Sequence, residues 1–186
     1  TQTDTDRAAL TDTALLVGCG YVRRAPEVAR DAVHATAALT GSKVRPVRAC
    51  CGLPLLHAGD SKGFAAAAAR FAAEVSQAKR VVAVDPGCAR TLLVEYARIG
   101  VRLPETSLFV DIAAAERARL RPLTAREALA DPDAEPAATA PSATPVRWHD
   151  PCQLGRGLGR YDEPRAVLER LDRKSTRLNS SHRLTS

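Results

Sequence analysis

Short apolar runs alternate with longer stretches of helical periodicity along most of the chain. The apolar runs predict four buried strands, at Leu15–Val17, Lys43–Val47, Arg80–Val84 and Leu108–Val110. Between them apolar residues recur every three or four positions, which predicts helices over 26–40, 61–78, 89–99 and 112–120. This alternation of strand and helix predicts an α/β fold, in which a parallel-type sheet is flanked by helices.

Helix-boundary residues agree with this pattern. Pro26 suits the first turn of a helix, and Gly41 suits the position that follows the end of the same helix. Asp60 or Ser61 can cap the helix that begins near residue 61.

The polar segments divide the chain into units. Residues 1–12 are a polar leading segment, 13–120 form the first unit, and 121–145 are a linker rich in Pro and Ala. Residues 146–171 repeat the opening of the first unit, with the strand Val146–Trp148, Cys152 in a loop, and a helix that starts near Pro164. Residues 172–186 do not continue this repeat and are interpreted as a foreign or frameshifted tail.

Four of the five cysteines occupy equivalent places in the predicted fold. Cys19 follows the first strand, the adjacent pair Cys50 and Cys51 follows the second, and Cys88 follows the third. The carboxyl ends of parallel strands lie at one edge of a sheet, where ligands usually bind. The helices that come next direct their N-terminal N–H groups at that edge, which favours an anionic group there.

Cysteine number and charge narrow the class of protein. An odd number of cysteines, two of them adjacent, argues against a secreted disulfide framework and for metal or redox use in a reducing compartment. The net charge is +6, but half of it lies in the last fifteen residues, so no nucleic-acid surface is predicted. The longest apolar stretch, 64–71, is interrupted by Arg70 and is too short to cross a bilayer.

Together these cysteines resemble the CCG cysteine-rich domain. Thirty residues separate Cys19 from Cys50-Cys51-Gly52, and thirty-six separate Cys51 from Cys88. Domains of this kind occur in heterodisulfide reductase, in the iron–sulfur component of glycolate oxidase and in lactate utilisation protein A, usually as two repeats. His149-Asp150-Pro151-Cys152 is similar to the opening of the second repeat, so the chain looks like a truncated member that begins inside a longer protein.

This resemblance implies an electron-transfer subunit of an oxidoreductase that acts on a 2-hydroxy acid or a disulfide. It implies an iron–sulfur cluster of the [4Fe–4S] kind on Cys19, Cys50, Cys51 and Cys88, with Cys152 as a cofactor ligand of the second repeat. The implied partners are a flavoprotein subunit or another iron–sulfur protein, in the cytoplasm or peripherally at the inner membrane.

Some alternatives remain open from the sequence. Certain relatives have a fifth cysteine three residues after Cys88, where this chain has Thr91, so both cubane and non-cubane clusters stay open. Four thiolates also suit tetrahedral zinc, although the close Cys-x-x-Cys spacing typical of zinc sites is missing. The remaining alternative is a structural module without metal or with zinc, in which Cys50 and Cys51 act at most as redox thiols.

Overall fold

The computed structural model describes residues 12–121 and 148–171. Nearly all of the leading segment, most of the linker and the tail at 172–186 therefore lie outside the described residues, and the proposed domain boundaries stay predictions. Of the predicted strand Val146–Trp148 only Trp148 is described, and it has no regular secondary structure.

The first described range contains four strands and their connecting helices. In chain order they are β1 (Thr13–Leu16), α1 (Cys19–Arg24), α2 (Pro26–Thr40), β2 (Val44–Pro46), α3 (Leu53–His57), α4 (Ser61–Val75), β3 (Arg80–Ala83), α5 (Pro86–Arg90), a π-helical turn (Thr91–Glu95), α6 (Tyr96–Arg98), β4 (Glu105–Leu108), α7 (Phe109–Ala115) and a 3-10 turn (Arg117–Arg119). The second range contributes α8 (Gly155–Leu158) and α9 (Asp162–Leu171).

All four strands are parallel and form one sheet in the order β2-β1-β3-β4. This confirms the predicted α/β class. After β1 the chain adds β2 on one side of it, and then adds β3 and β4 on the other side. The strand order therefore reverses between β1 and β3. In open α/β sheets ligands bind beside such a reversal, outside the carboxyl ends of the strands.

Helices cover both faces of the sheet because alternate strand residues point in opposite directions. Ala14 and Leu16 of β1 join one core with α4, the π-helical turn and Tyr96. Leu15 joins the other core with Val17, α2 and α7. The sheet is therefore the middle of three layers.

Several boundaries differ from the sequence prediction. The predicted strand Leu108–Val110 is wrong in position, because β4 ends at Leu108 and Phe109 already begins α7. The short helices α1, α3 and α5 start at or near the cysteines, where the sequence predicts only loops. Asp60 caps α4 by accepting a hydrogen bond of 2.8 Å from the main-chain N–H of Gly63.

Residues 148–171 pack against the sheet of the first range. Leu154 is 3% exposed and belongs to the core that contains Tyr96. Arg160 Nε lies 2.9 Å from Asp111 Oδ1, which links the start of α9 to α7. In neither described range does a helix combine the length and apolar character needed to cross a membrane.

Candidate functional site

The four predicted thiols lie after three neighbouring strands. Cys19 is the first residue of α1 after β1, Cys50 and Cys51 lie between β2 and α3, and Cys88 lies within α5 after β3. Since β2, β1 and β3 are adjacent and parallel, these segments meet at one edge of the sheet. Cys19 and Cys88 flank the reversal between β1 and β3.

Two of these thiols, Cys51 and Cys88, form a buried pair that we call the inner thiols. Their Sγ atoms are 3.3 Å apart, and their side chains are 2% and 6% exposed. The hydrogen bond between the two sulfur atoms lowers the pKa of Cys51 to about 7, and the same bond together with burial raises the pKa of Cys88. One thiol of the pair therefore ionises far more easily than the other.

The outer thiols, Cys19 and Cys50, are exposed at the same edge. Partial burial raises the pKa of Cys50, and the neighbouring Cys51 and Cys19 thiols add to that rise. Cys19 also contributes to the raised pKa of Cys88. The structure therefore places all four cysteines of the predicted site at one edge of the sheet, with the sulfur atoms of Cys51 and Cys88 in contact.

Glycine is required next to two of the cysteines. Gly52 has φ 81°, and a Cβ atom there would lie 2.9 Å from the ring of Phe64. Gly18, which precedes Cys19, has φ 108°, and its Cβ would lie 2.8 Å from Cβ of Asp85. A side chain at either position would be strained and would push apart elements that bring the thiols together.

Side chains that the sequence analysis did not select support the inner thiols. Asp85 Oδ1 accepts a hydrogen bond of 2.9 Å from the main-chain N–H of Cys88, and so caps α5. The hydroxyl of Tyr96 donates to the carbonyl oxygen of Cys51 at 3.1 Å. Asp85 precedes Pro-Gly-Cys and has the sequence signal of a helix cap, whereas nothing in the sequence near Tyr96 indicates this contact.

Thr91, at the position of the fifth cysteine of some relatives, begins the π-helical turn. Its side chain is buried, and its hydroxyl donates to the carbonyl oxygen of Gly87 at 2.8 Å. The side chain at this position therefore stabilises α5, the helix that contains Cys88. Single π-helical turns occur often beside functional sites.

Cys152 lies outside this thiol group, in the second described range. Its exposed side chain lines a cavity of about 490 Å³ together with Asp85, Gly87 and Trp148. The preceding Asp150 accepts hydrogen bonds from Arg165 at 2.7 and 3.0 Å, which lower the pKa of Asp150 and hold the turn that leads into Cys152. The role of Cys152 as a ligand stays a prediction.

The arrangement of these donors bears on the kind of metal group that they could hold. No set of three or more Cys, His, Asp or Glu side chains within residues 12–121 and 148–171 is arranged to hold a single metal ion. Thiolates of an iron–sulfur cluster bind several iron atoms rather than one, so they need not converge on one point. Four cysteines at one edge, two buried and two exposed, fit that requirement.

Fold and thiols together define a class of protein: a parallel α/β domain that gathers cysteines from the ends of three neighbouring strands. Residues 13–93 match the family model described as CCG, a cysteine-rich domain, and this span contains Cys19, Cys50, Cys51 and Cys88. The match confirms, for that part of the chain, the resemblance that the cysteine motif predicted. No curated protein and no solved structure matches the chain significantly.

Proposed function

We propose that the chain is an iron–sulfur-binding, electron-transfer part of an oxidoreductase. One observation carries the proposal: four cysteines separated by up to 68 intervening residues meet at one edge of the sheet. Cysteine thiolates are the usual protein ligands of iron–sulfur clusters. The CCG match over residues 13–93 supports the same role.

Each thiol has a distinct part in this proposal. When bound, the cluster supplies one-electron redox chemistry. The buried inner thiols, Cys51 and Cys88, would be two of its ligands, and the Tyr96 hydroxyl fixes the main chain of Cys51. The exposed outer thiols, Cys19 and Cys50, would be the other two.

Exposure of the outer thiols favours electron exchange with a separate protein, because transfer requires close approach of donor and acceptor. The proposed partner is a flavoprotein subunit or another iron–sulfur protein. The proposed substrate of the complex is a 2-hydroxy acid or a disulfide. Both follow from the resemblance of the cysteine pattern to the iron–sulfur components of such complexes.

The test is metal analysis of the full chain, purified and reconstituted without oxygen. We expect about four iron and four sulfide per chain if a [4Fe–4S] cluster binds, and an electron paramagnetic resonance signal after reduction. Serine substitution of Cys19, Cys50, Cys51 or Cys88 should lower the iron content, whereas Cys152→Ser should leave this cluster intact. A chain that takes up zinc only, or no metal, would contradict the proposal.

A second function is favoured by the inner thiols alone. With Sγ atoms 3.3 Å apart and the Cys51 pKa at about 7, a metal-free chain could act as a redox dithiol. Oxidation of the pair to a disulfide releases two electrons and two protons, which a disulfide acceptor takes up as two thiols. Colourless protein in which Cys51 and Cys88 reduce a disulfide, while Cys19→Ser is without effect, would favour this function.

A further inference from the structure

The segment between β2 and the adjacent cysteines leaves the sheet after Val47. The main-chain N–H of Val47 still donates to Leu15 of β1 at 2.8 Å. The next two N–H groups, of Arg48 and Ala49, extend past the paired part of the strand. Ala49 is partly buried and its N–H needs another acceptor, because an unpaired buried main-chain donor is costly, whereas the N–H of Arg48 is exposed.

Glu74, near the end of α4, provides both acceptors. Its Oε1 accepts a hydrogen bond from Arg48 N, and its Oε2 accepts one from Ala49 N, each at 2.8 Å. The bonds are charge-assisted and directed at two consecutive peptide groups. One carboxylate therefore fixes the main chain immediately before Cys50.

Arg45 holds this carboxylate in place. Its Nη1 lies 3.2 Å from Glu74 Oε1, and its Nη2 donates to the main-chain carbonyl of Glu74 at 2.8 Å. Arg45 belongs to β2. A side chain of β2 therefore orients Glu74, and Glu74 in turn holds the main chain that follows β2.

The same helix contacts the other end of the cysteine loop. Phe64 and Ala67 of α4 lie so close to Gly52 that a Cβ there would be 2.9 and 3.1 Å from them. Between these two contacts lie Cys50 and Cys51. Cys50 is exposed, and its sulfur accepts a hydrogen bond of 3.4 Å from the main-chain N–H of Gly52, which ties its side chain to the main chain of the loop.

We propose that Glu74 is a positioning residue for the adjacent cysteines, which fixes the loop so that Cys51 faces Cys88 and Cys50 faces the exposed edge. The proposal rests on the proposed function, in which Cys50 and Cys51 need these orientations to bind a cluster. It assigns a role to a residue 23 positions beyond Cys51, on another element. Arg45 supports it through the carboxylate.

The test uses the full chain with Glu74→Gln and Glu74→Ala. The glutamine oxygen can still accept one main-chain hydrogen bond, but its NH₂ group cannot accept the second. Alanine removes both bonds. The matched control is Glu116→Gln, which removes the charge of a surface ion pair with Arg119 and lies outside the cysteine loop and α4.

The first readout is alkylation of the metal-free chain by iodoacetamide, measured by mass spectrometry as the ratio of Cys51 to Cys88 labelling. Local opening of the loop exposes Cys51 first, whereas general unfolding exposes both. We expect this ratio to rise roughly tenfold in Glu74→Ala and less in Glu74→Gln, since charge-assisted bonds are lost in that order. Glu116→Gln should behave like the wild type.

The second readout is the reconstituted chain, by its reduction midpoint and electron paramagnetic resonance line shape. The midpoint and the line shape should both change in Glu74→Ala and change less in Glu74→Gln. Both should stay unchanged in Glu116→Gln. An unchanged labelling ratio in both Glu74 variants would overturn the proposal, and so would equal effects of Glu74→Gln and Glu116→Gln. If the wild type binds no iron, the proposed function fails, while the labelling ratio still decides whether Glu74 positions the loop.

Discussion

At the scale of single residues, two adjacent cysteines occupy opposite environments. Cys51 is almost completely buried beside Cys88, whereas Cys50 is exposed. The left-handed conformation of Gly52 and the hydrogen bond from Tyr96 to the Cys51 carbonyl keep the chain in this form. The two adjacent cysteine side chains therefore differ in solvent exposure and in pKa.

Cys88→Ala tests the origin of that acidity. In the metal-free chain the hydrogen bond between the Cys51 and Cys88 sulfur atoms lowers the pKa of Cys51 to about 7. Without this partner, burial favours the neutral thiol, so the pKa of Cys51 should rise to its ordinary range or above. Thiolate absorbance at Cys51 should then appear at higher pH than in the wild type, with Cys152→Ala as the control. A pKa that stays near 7 would contradict this account.

Gly52→Ala tests the need for glycine. A left-handed alanine costs about 1–2 kcal/mol, and the contact with Phe64 adds a steric cost of about 1–3 kcal/mol. Gly59→Ala is the matched control, because Gly59 has φ 76° but open space around its Cβ position. Urea unfolding should show the larger loss of stability for Gly52→Ala. Equal losses would mean that the close contact has no cost.

At the scale of elements, short helices carry the site. Each of α1, α3 and α5 has only five or six residues, too few to be stable alone. They persist because packing at the sheet edge holds them, and in α5 alone of the three a side chain also caps the first turn. Asp85 does this for α5, where its carboxylate caps the turn that contains Cys88.

Asp85→Ala should cost about 1 kcal/mol of unfolding free energy, as is typical for loss of a cap. Asp60→Ala is the control, because Asp60 caps α4 in the same way away from the thiols. The two variants should lose similar stability in urea. Only Asp85→Ala should also raise the alkylation rate of Cys88. Equal rates in both variants would show that the cap does not hold this thiol.

A comparison of the elements with the sequence shows which parts of the fold and the site could be predicted. The order and gaps of the cysteines were enough to predict that Cys19, Cys50, Cys51 and Cys88 meet, because a parallel sheet gathers strand ends. The run Leu108–Val110 misled, because three apolar residues suit a buried strand and a buried helix equally. Glu74 and Tyr96 could not be predicted, since each reaches the site through tertiary packing from a distant element.

At the scale of the whole molecule, residues 148–171 share a core with the sheet. Leu154 is buried in the same cluster as Tyr96, and Arg160 pairs with Asp111 of α7. The second cysteine-containing segment is therefore attached to the first unit by apolar and ionic contacts. Its proposed status as the start of a second repeat stays a prediction.

Leu154→Ala should lower the midpoint of the main unfolding transition, because truncating a buried leucine costs about 2–5 kcal/mol. Leu171→Ala is the control, since Leu171 is an exposed residue at the end of α9. Thermal and urea unfolding monitored at Trp148 and by far-ultraviolet circular dichroism should agree for both variants. A main transition that is unaffected by Leu154→Ala would mean that this segment contributes nothing to the stability of the sheet.

The parallel sheet also gives the molecule two unlike ends. The cysteines that follow β1, β2 and β3 lie at the carboxyl ends of the strands. The turns near Gly41, Gln77 and Gly100 lie at the amino ends. A four-residue strand such as β3 separates these ends by about 13 Å. A fluorophore attached at the exposed Gln77 would therefore sit far enough from the sulfur atoms to leave their surroundings untouched.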